Sequence, residues 1–329
     1  MTLPLSILDL APIARGQTAR ESFAASVALA RSAEEHGYRR VWYAEHHNMP
    51  TIASSATSVL IGHVADHTRT IRLGAGGIML PNHAPLTIAE QFGTLETLHP
   101  GRIDLGLGRA PGSDQTTMLA LRRTPMSADT FPRDVLELQG YLGEQTLVPG
   151  VHATPGTGTK VPLYILGSSL FGARLAAALG LPYAFASHFA PAALYEAVAL
   201  YRREFQPSAQ LERAYVMAAL NVVAADTATD AQAQFQAMKR VRVGALLGGG
   251  RRFTDEEADL ILASPEGQRI ASMVRYSAVG TAGEVRDYVE DFARRAGADE
   301  LIVAHQSPRI EARLRSVELL AGAWELACA

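Results

Sequence analysis

The stretch LYILGSSLFGARLAAALGLPYAFA, residues 163–186, decides the fold. It opens on Leu163–Gly167, a short run apolar on both faces, as a buried parallel strand is. The turn Gly167-Ser168-Ser169 follows, then the apolar helix Phe171–Leu179, then a second short run, Tyr183–Ala186. Strand, turn, helix and strand form the repeating unit of an α/β fold.

The same rhythm continues in both directions. Further short apolar runs are Leu5–Leu10, Arg40–Ala44, Ile71–Gly76, Ile103–Leu107, Val216–Ala224 and Leu301–Ala304, which makes eight, the number a (β/α)8 TIM barrel requires. Between them lie helical patterns. Val285, Tyr288, Val289, Phe292 and Ala296 share one helix face; Ile310, Leu314, Val317, Ala321 and Trp324 share another, on a last helix that should close the barrel from outside. With no break in composition, all 329 residues are expected to form a single α/β barrel domain. Two segments interrupt the rhythm. Residues 148–160 are rich in Pro, Gly and Thr. Residues 244–276 hold Gly248-Gly249-Gly250, an extra helix from Asp255, and a turn at Val279-Gly280-Thr281. Insertions at the C-terminal face of a barrel often form lids or substrate walls, and the glycines suit a hinge or a plain connection equally.

Composition excludes several function classes. A net charge of −3, with basic residues scattered in short clusters such as Arg39-Arg40 and Arg251-Arg252, argues against a nucleic-acid partner. Cys328 is the only cysteine, so an intrachain disulfide or a cysteine-based metal site is excluded. No secretory leader or membrane span is read, and a cytoplasmic location is expected.

Polar residues just after barrel strands point into the active site. Here they are Asp9 to Pro12, Glu45-His46-His47-Asn48, Pro81-Asn82-His83, Gly108-Arg109, Gly167-Ser168-Ser169 and Ser187-His188. The Gly167-Ser168-Ser169 turn supports two readings. As a phosphate cup it would offer helix N–H groups and hydroxyls to an anion; as an ordinary cap, serine would bond its own helix. Arg109 ends the neighbouring strand and can bring a guanidinium to the same phosphate. Gly76 and Gly77 would let a flat ring lie on the backbone, or else serve a turn with special dihedrals. In an extended Glu45-His46-His47 the outer two side chains point one way and His46 the other. That pattern suits acid–base work by one histidine and anchoring by Glu45 better than a shared metal. No metal is expected.

Three weaker patterns fail on inspection. His63 and His67 have i,i+4 spacing but lack the zincin glutamate. Gly106-Leu107-Gly108-Arg109-Ala110-Pro111-Gly112 is one residue too long for a dinucleotide loop, and Phe171 breaks a nucleophile elbow.

Tyr43-Ala44-Glu45-His46-His47, residues 73–81, residues 101–109, Leu166-Gly167-Ser168-Ser169 and Gly297-Ala298-Asp299-Glu300-Leu301 together resemble the luciferase-like flavin-dependent monooxygenases, in family order along nearly the whole chain. The resemblance implies a barrel that binds reduced FMN at the C-terminal strand ends, supplied by a separate flavin reductase, in a homodimer that oxidises a small organic substrate with molecular oxygen. It places Arg109, Ser168, Ser169, Gly167 and Phe171 at the phosphate, and Gly76 and Gly77 beside the isoalloxazine, sometimes with a non-proline cis peptide. His46 matches the catalytic histidine and Glu45 a pocket carboxylate. Asp9 and His188 are expected in the substrate wall. Gly108 and Gly167 replace a cysteine and a glutamate of the light-emitting members, which points to the branch that emits no light. The rival readings are a deazaflavin-dependent hydride transferase, a non-catalytic flavin-binding protein and a metal-dependent barrel hydrolase.

Overall fold

The computed structural model describes residues 3–110, 114–248 and 253–326, apart from the side chain of residue 125. Gly249, Gly250, Arg251, Arg252, Pro111, Gly112 and Cys328, which the sequence reading invoked, lie outside the described residues.

Nine strands form one parallel sheet: β1 (Leu5–Asp9), β2 (Arg40–Tyr43), β3 (Arg72–Met79), β4 (Ile103–Gly108), β5 (Leu163–Gly167), β6 (Tyr183–Phe185), β7 (Val216–Ala224), β8 (Ser277–Gly280) and β9 (Glu300–His305). Strands β1 to β6 pair in order, β6 pairs with β7, β7 with β9, and β9 with β1, closing eight strands into a ring. This is a (β/α)8 barrel, and its eight strands are the eight apolar runs. The ninth strand corrects the expectation of a simple turn at Val279-Gly280-Thr281. β8 pairs with Asn221–Ala224, the C-terminal half of the long β7, so the chain re-enters the sheet there after its excursion. That excursion carries helix Asp255–Ala263, with a capping box between Thr254 and Glu257, and a second helix, Pro265–Met273. It leaves from and returns to the C-terminal end of β7, where substrate walls are built.

Strand parity sorts the side chains. Leu8, Trp42, Ala44, Tyr164, Ala184, Met217, Ala219 and Ile302 fill the barrel interior. Leu5, Ile7, Val41 and Leu73 face outward and join the helix layer with Phe92, Val289, Phe292 and Val317 in the main core. Each such buried side chain contributes roughly 1.5–3 kcal/mol. The N-terminal end of the barrel is polar but sealed. Arg40 is buried there against Asp104 (2.6 Å) and Glu300 (2.9 Å), and donates to the Tyr164 hydroxyl at 2.7 Å. A buried charge cluster at that end maintains the fold rather than the chemistry. The final helix, Ile310–Trp324, packs outside the ring, and the Trp324 indole donates to the Leu3 carbonyl at 2.9 Å. The irregular segment 148–160 lies where Gly156 presses on Gly93 of helix Pro85–Leu98; a Cβ on Gly93 would stand 2.1 Å from the Gly156 Cα.

Candidate active site

The loop after β2 is strapped in place. The Ser54 hydroxyl donates to the Ala44 carbonyl, Thr57 donates to the same carbonyl at 3.2 Å, and the His46 N–H donates to the Ser54 carbonyl at 3.0 Å. Asn48 takes a left-handed backbone (φ 55°), which asparagine tolerates, and its amide donates to Asp114. Glu45, 1% exposed, therefore has a fixed position. Its carboxylate meets His47 Nε2 at 2.8 Å and His83 Nε2 at 2.9 Å, and accepts the Met79 N–H at 3.2 Å. Extended parity thus holds: Glu45 and His47 meet on one side. Burial pushes the Glu45 carboxyl up, but the hydrogen bonds from His47 and His83, and their charge, outweigh it and leave the group below its ordinary range. The bond to Glu45 raises His47 against the opposing effect of burial. The ligand atoms of Glu45, His47 and His83 lie within 4.8 Å of one another, a spacing that could admit a metal ion, although each is engaged within the cluster.

Gly76 and Gly77 sit in the middle of β3, joined by a cis peptide bond, at a shift of register against β4. Neither has a positive φ, so a special turn does not account for them. Close approach does. A Cβ on Gly76 would stand 2.9 Å from Leu8 Cδ1 and Trp42 Cβ, and one on Gly77 would stand 2.7 Å from the Gly106 carbonyl oxygen.

Arg109 and Phe171, two of the residues expected at a phosphate, are brought together. Ser169 is the N-cap of helix Leu170–Leu179, but its side chain makes no cap bond. Its carbonyl instead accepts from the Tyr183 hydroxyl at 3.0 Å. Ordinary capping is therefore not what this serine does, and the first-turn N–H groups get no help from it. Arg109, just past β4, stacks its guanidinium 4.2 Å from the centre of the Phe171 ring and donates Nε to the Ala128 carbonyl at 3.2 Å. Gly167 ends β5, and Ser168 joins it to the Ser169 N-cap.

The expected substrate-wall residues separate. Asp9 is the last residue of β1 and points outward. Its oxygens accept from Ser26 (2.5 Å) and the Ala11 N–H (3.0 Å), with Arg313 at 3.4 Å. It braces β1 against the helix layer and is not brought to the pocket, which corrects its expected place. His188, past β6, is buried with Nδ1 unpartnered. Its carbonyl accepts from Asn221 at 2.7 Å, which pins the loop over the barrel mouth. Burial, then the charges of Arg242 and His46, push His188 down to about 3, so the ring is neutral. Arg242, on helix Ala228–Leu247, was not singled out from the sequence. It stands two residues past Arg240, which pairs with Asp255 and Asp259 at the surface, and no local pattern says which of the two turns inward. Elsewhere, His63 and His67 stack at 4.6 Å on a solvated helix end, as their spacing suggested.

The family model for luciferase-like monooxygenases matches residues 3–300. A luciferase-like monooxygenase of Escherichia coli K12 is 51% identical over 322 residues, 97% of this chain and 96% of that one. The N-acetyl-S-alkylcysteine monooxygenase of Bacillus subtilis is 41% identical over 191 residues, 55% of this chain and 56% of that one. Among solved structures, apo-MsnO8 superposes with a TM-score of 0.88 at 34% identity, covering 99% of this chain and 100% of the other. Two barrels at 16% identity share the fold. One is the oxygenating constituent of 3,6-diketocamphane monooxygenase from Pseudomonas putida in complex with FMN, with a TM-score of 0.70 and 98% and 97% of the two chains covered. The other is an F420-dependent secondary alcohol dehydrogenase, with a TM-score of 0.72 and 98% and 99% covered. With its barrel, its strand-end site and these likenesses, the chain belongs to the luciferase-like monooxygenase family.

Proposed function

We propose that this protein is an FMN-dependent monooxygenase that oxidises a small organic substrate with molecular oxygen. One observation carries the choice of a flavin phosphate site: an uncapped helix N-terminus with a guanidinium stacked on its first turn. Helix N–H groups, two serine hydroxyls and an arginine make a donor set for a phosphate monoester. In this reading Arg109, Ser168, Ser169 and the N–H of Phe171 hold the phosphate, Gly167 lets it approach, and Gly76 and Gly77 leave room for the ring. Reduced flavin, when bound, supplies the electrons that activate oxygen. His46 moves a proton beside the ring, and Glu45 holds the β2 and β3 loops around it through His47 and His83. The long C-terminal excursion excludes water. Reduced flavin comes from a separate reductase, and the protein works as a cytoplasmic homodimer.

Anaerobic titration with reduced FMN, followed by admission of air, tests this. Stoichiometric binding and oxygen consumption that rises with a substrate support it. Binding of a reduced deazaflavin with no uptake of FMN would replace it with hydride transfer. Thioethers such as N-acetyl-S-methylcysteine belong in the first substrate screen, because a relative is named for that class.

A further inference from the structure

Trp42 is one of two tryptophans in the chain, and it is the one inside the barrel. It is fully buried, and its ring lies against Gly76, where a Cβ would stand 3.2 Å from Trp42 Cε3. From there a row of contacts runs to the N-terminal end of the barrel. Trp42 meets Tyr164 edge-on, with ring centroids 4.9 Å apart. The Tyr164 hydroxyl accepts from Arg40 Nη1 at 2.7 Å, and Arg40 Nη2 donates to Glu300 Oε2 at 3.1 Å. The Tyr215 hydroxyl donates to that same oxygen at 2.6 Å. Tyr215 packs on the interior cluster that holds Trp42 and Tyr164, is itself half-buried, and accepts from the exposed Arg39 at 3.2 Å. The row is unbroken from the middle of the barrel to water.

The charges beside these rings decide where an electron vacancy can rest. Indole and phenol lose one electron more readily than aliphatic side chains, and the radical cation left behind is strongly acidic, so a base that takes its proton stabilises it. Trp42 Nε1 donates to Asp104 Oδ2 at 3.1 Å, and Tyr215 donates to Glu300; both carboxylates are fully buried, where a neighbouring negative charge acts strongly. Tyr164 has the opposite setting. The Arg40 guanidinium bonds its hydroxyl and stands 5.3 Å from its ring centre, which opposes loss of an electron there. Arg40 also stands 5.8 Å from the Trp42 ring, but there Asp104 faces the indole N–H. Tyr164 is thus a bridge, and Tyr215 is the resting place nearest the surface.

We infer that Trp42, Tyr164 and Tyr215 form an electron-transfer row that carries oxidising equivalents out of the barrel and protects the site from its own oxygen chemistry. The row takes no part in turnover. Its purpose rests on the monooxygenase reading above; its path does not. The oxidant is of the oxygen-radical class, released when reduced flavin meets oxygen without substrate, and it takes one electron from Trp42. Trp42 recovers one from Tyr215 across Tyr164, and the phenolic proton passes to Glu300 Oε2. A solution reductant of the thiolate class then returns one electron to Tyr215, and Glu300 returns the proton. One oxidant is reduced by one electron, one thiolate becomes a thiyl radical, and the protein ends as it began.

The path is tested without flavin. In a Trp324→Phe background Trp42 is the only tryptophan, and an ultraviolet laser pulse ionises it. Its radical absorbance should decay as a tyrosyl signal grows. Tyr215→Phe should lengthen the tryptophan radical lifetime several-fold and remove most of the tyrosyl signal. No tyrosyl signal in the parent, or the same decay in Tyr215→Phe, would overturn the row. A misfolded variant is guarded against by placing 3-aminotyrosine at Tyr215, which keeps the hydroxyl for Glu300 and is more easily oxidised. It should trap the vacancy with its own electron paramagnetic resonance spectrum; an ordinary tyrosyl spectrum there would overturn the row as well. The purpose is tested with reduced FMN and oxygen in the absence of substrate. Tyr215→Phe should consume oxygen at the native initial rate yet accumulate oxidised Trp42 several-fold faster, read by mass spectrometry. Equal accumulation would overturn the protective role. Failure of the native protein to bind FMN would sink the cofactor reading, while the laser measurement would still decide the row.

Discussion

His83 Nε2 lies 2.9 Å and 3.1 Å from the two oxygens of Glu45, joining loops 38 residues apart in sequence. With His47 on the same carboxylate, one buried anion holds the ends of β2 and β3 together. The bridge is electrostatic, so it depends on pH.

Glu45→Gln should lower stability by about 1.5–3 kcal/mol near pH 6, the range for a hydrogen bond to a charged group. The sign follows from both partners. The Glu45 pKa is lowered from 4.5, so its contribution is present above that value and fades on acidification. The His47 pKa is raised from 6.5, so its contribution is full below 6.5 and fades as pH climbs through the raised value. Thermal melts of both proteins should differ most near pH 6 and converge toward pH 9. A difference unchanged at pH 9 would refute the ionic bridge.

Arg109→Ala should weaken FMN binding by on the order of ten- to a hundred-fold, the equivalent of one charge-assisted bond to phosphate. Turnover at saturating flavin should change little. Arg109→Lys should recover only part of the affinity, because lysine keeps the charge but loses the planar stack on Phe171 at 4.2 Å. Flavin absorbance titrations read the affinities, and steady-state assays at saturating flavin read the turnover.

Ser169→Ala separates a cap from a cup. A serine that caps its helix costs about 1 kcal/mol when removed. Ser169 makes no such bond, so the melting temperature should hold while flavin affinity falls. Thr254→Ala, which breaks a real capping box, is the control that should lose stability.

Gly77→Ala should destabilise the barrel by about 1–3 kcal/mol, since its Cβ would meet the Gly106 carbonyl at 2.7 Å and backbone cannot swing aside. Chemical denaturation midpoints measure this. Gly283→Ala, where an added Cβ meets nothing within 4 Å, should be close to neutral or stabilising.

His188 should show no titration between pH 5 and 9 by NMR, with its pKa pushed down to about 3 by burial and by the charges of Arg242 and His46. Because the unfolded ring takes up a proton near 6.5, stability should fall as pH drops from 6.5 toward 3. A midpoint above 6 would mean that the ring is wetter than the structure has it.

Much of this was legible along the chain. Runs such as Leu163–Gly167 are apolar on both faces because a parallel strand under helices has no wet side, and short-range chemistry marks the turn at Ser169. Residues after strands reach the mouth of any such barrel, so Glu45, Arg109 and His188 could be proposed from position alone. Tertiary structure decided the rest. Asp9 ends its strand on the outward parity, where Ser26 and Arg313 receive it. β8 is four residues, alternately half-buried and buried, too short to announce itself until β7 runs past the ring and offers an edge. Glu45 found His83 across loops whose packing sets the distance. Local sequence encodes periodicity and turn chemistry, which act within a few residues. Which charges end up paired depends on contacts between distant segments, and those exist only once the barrel has closed.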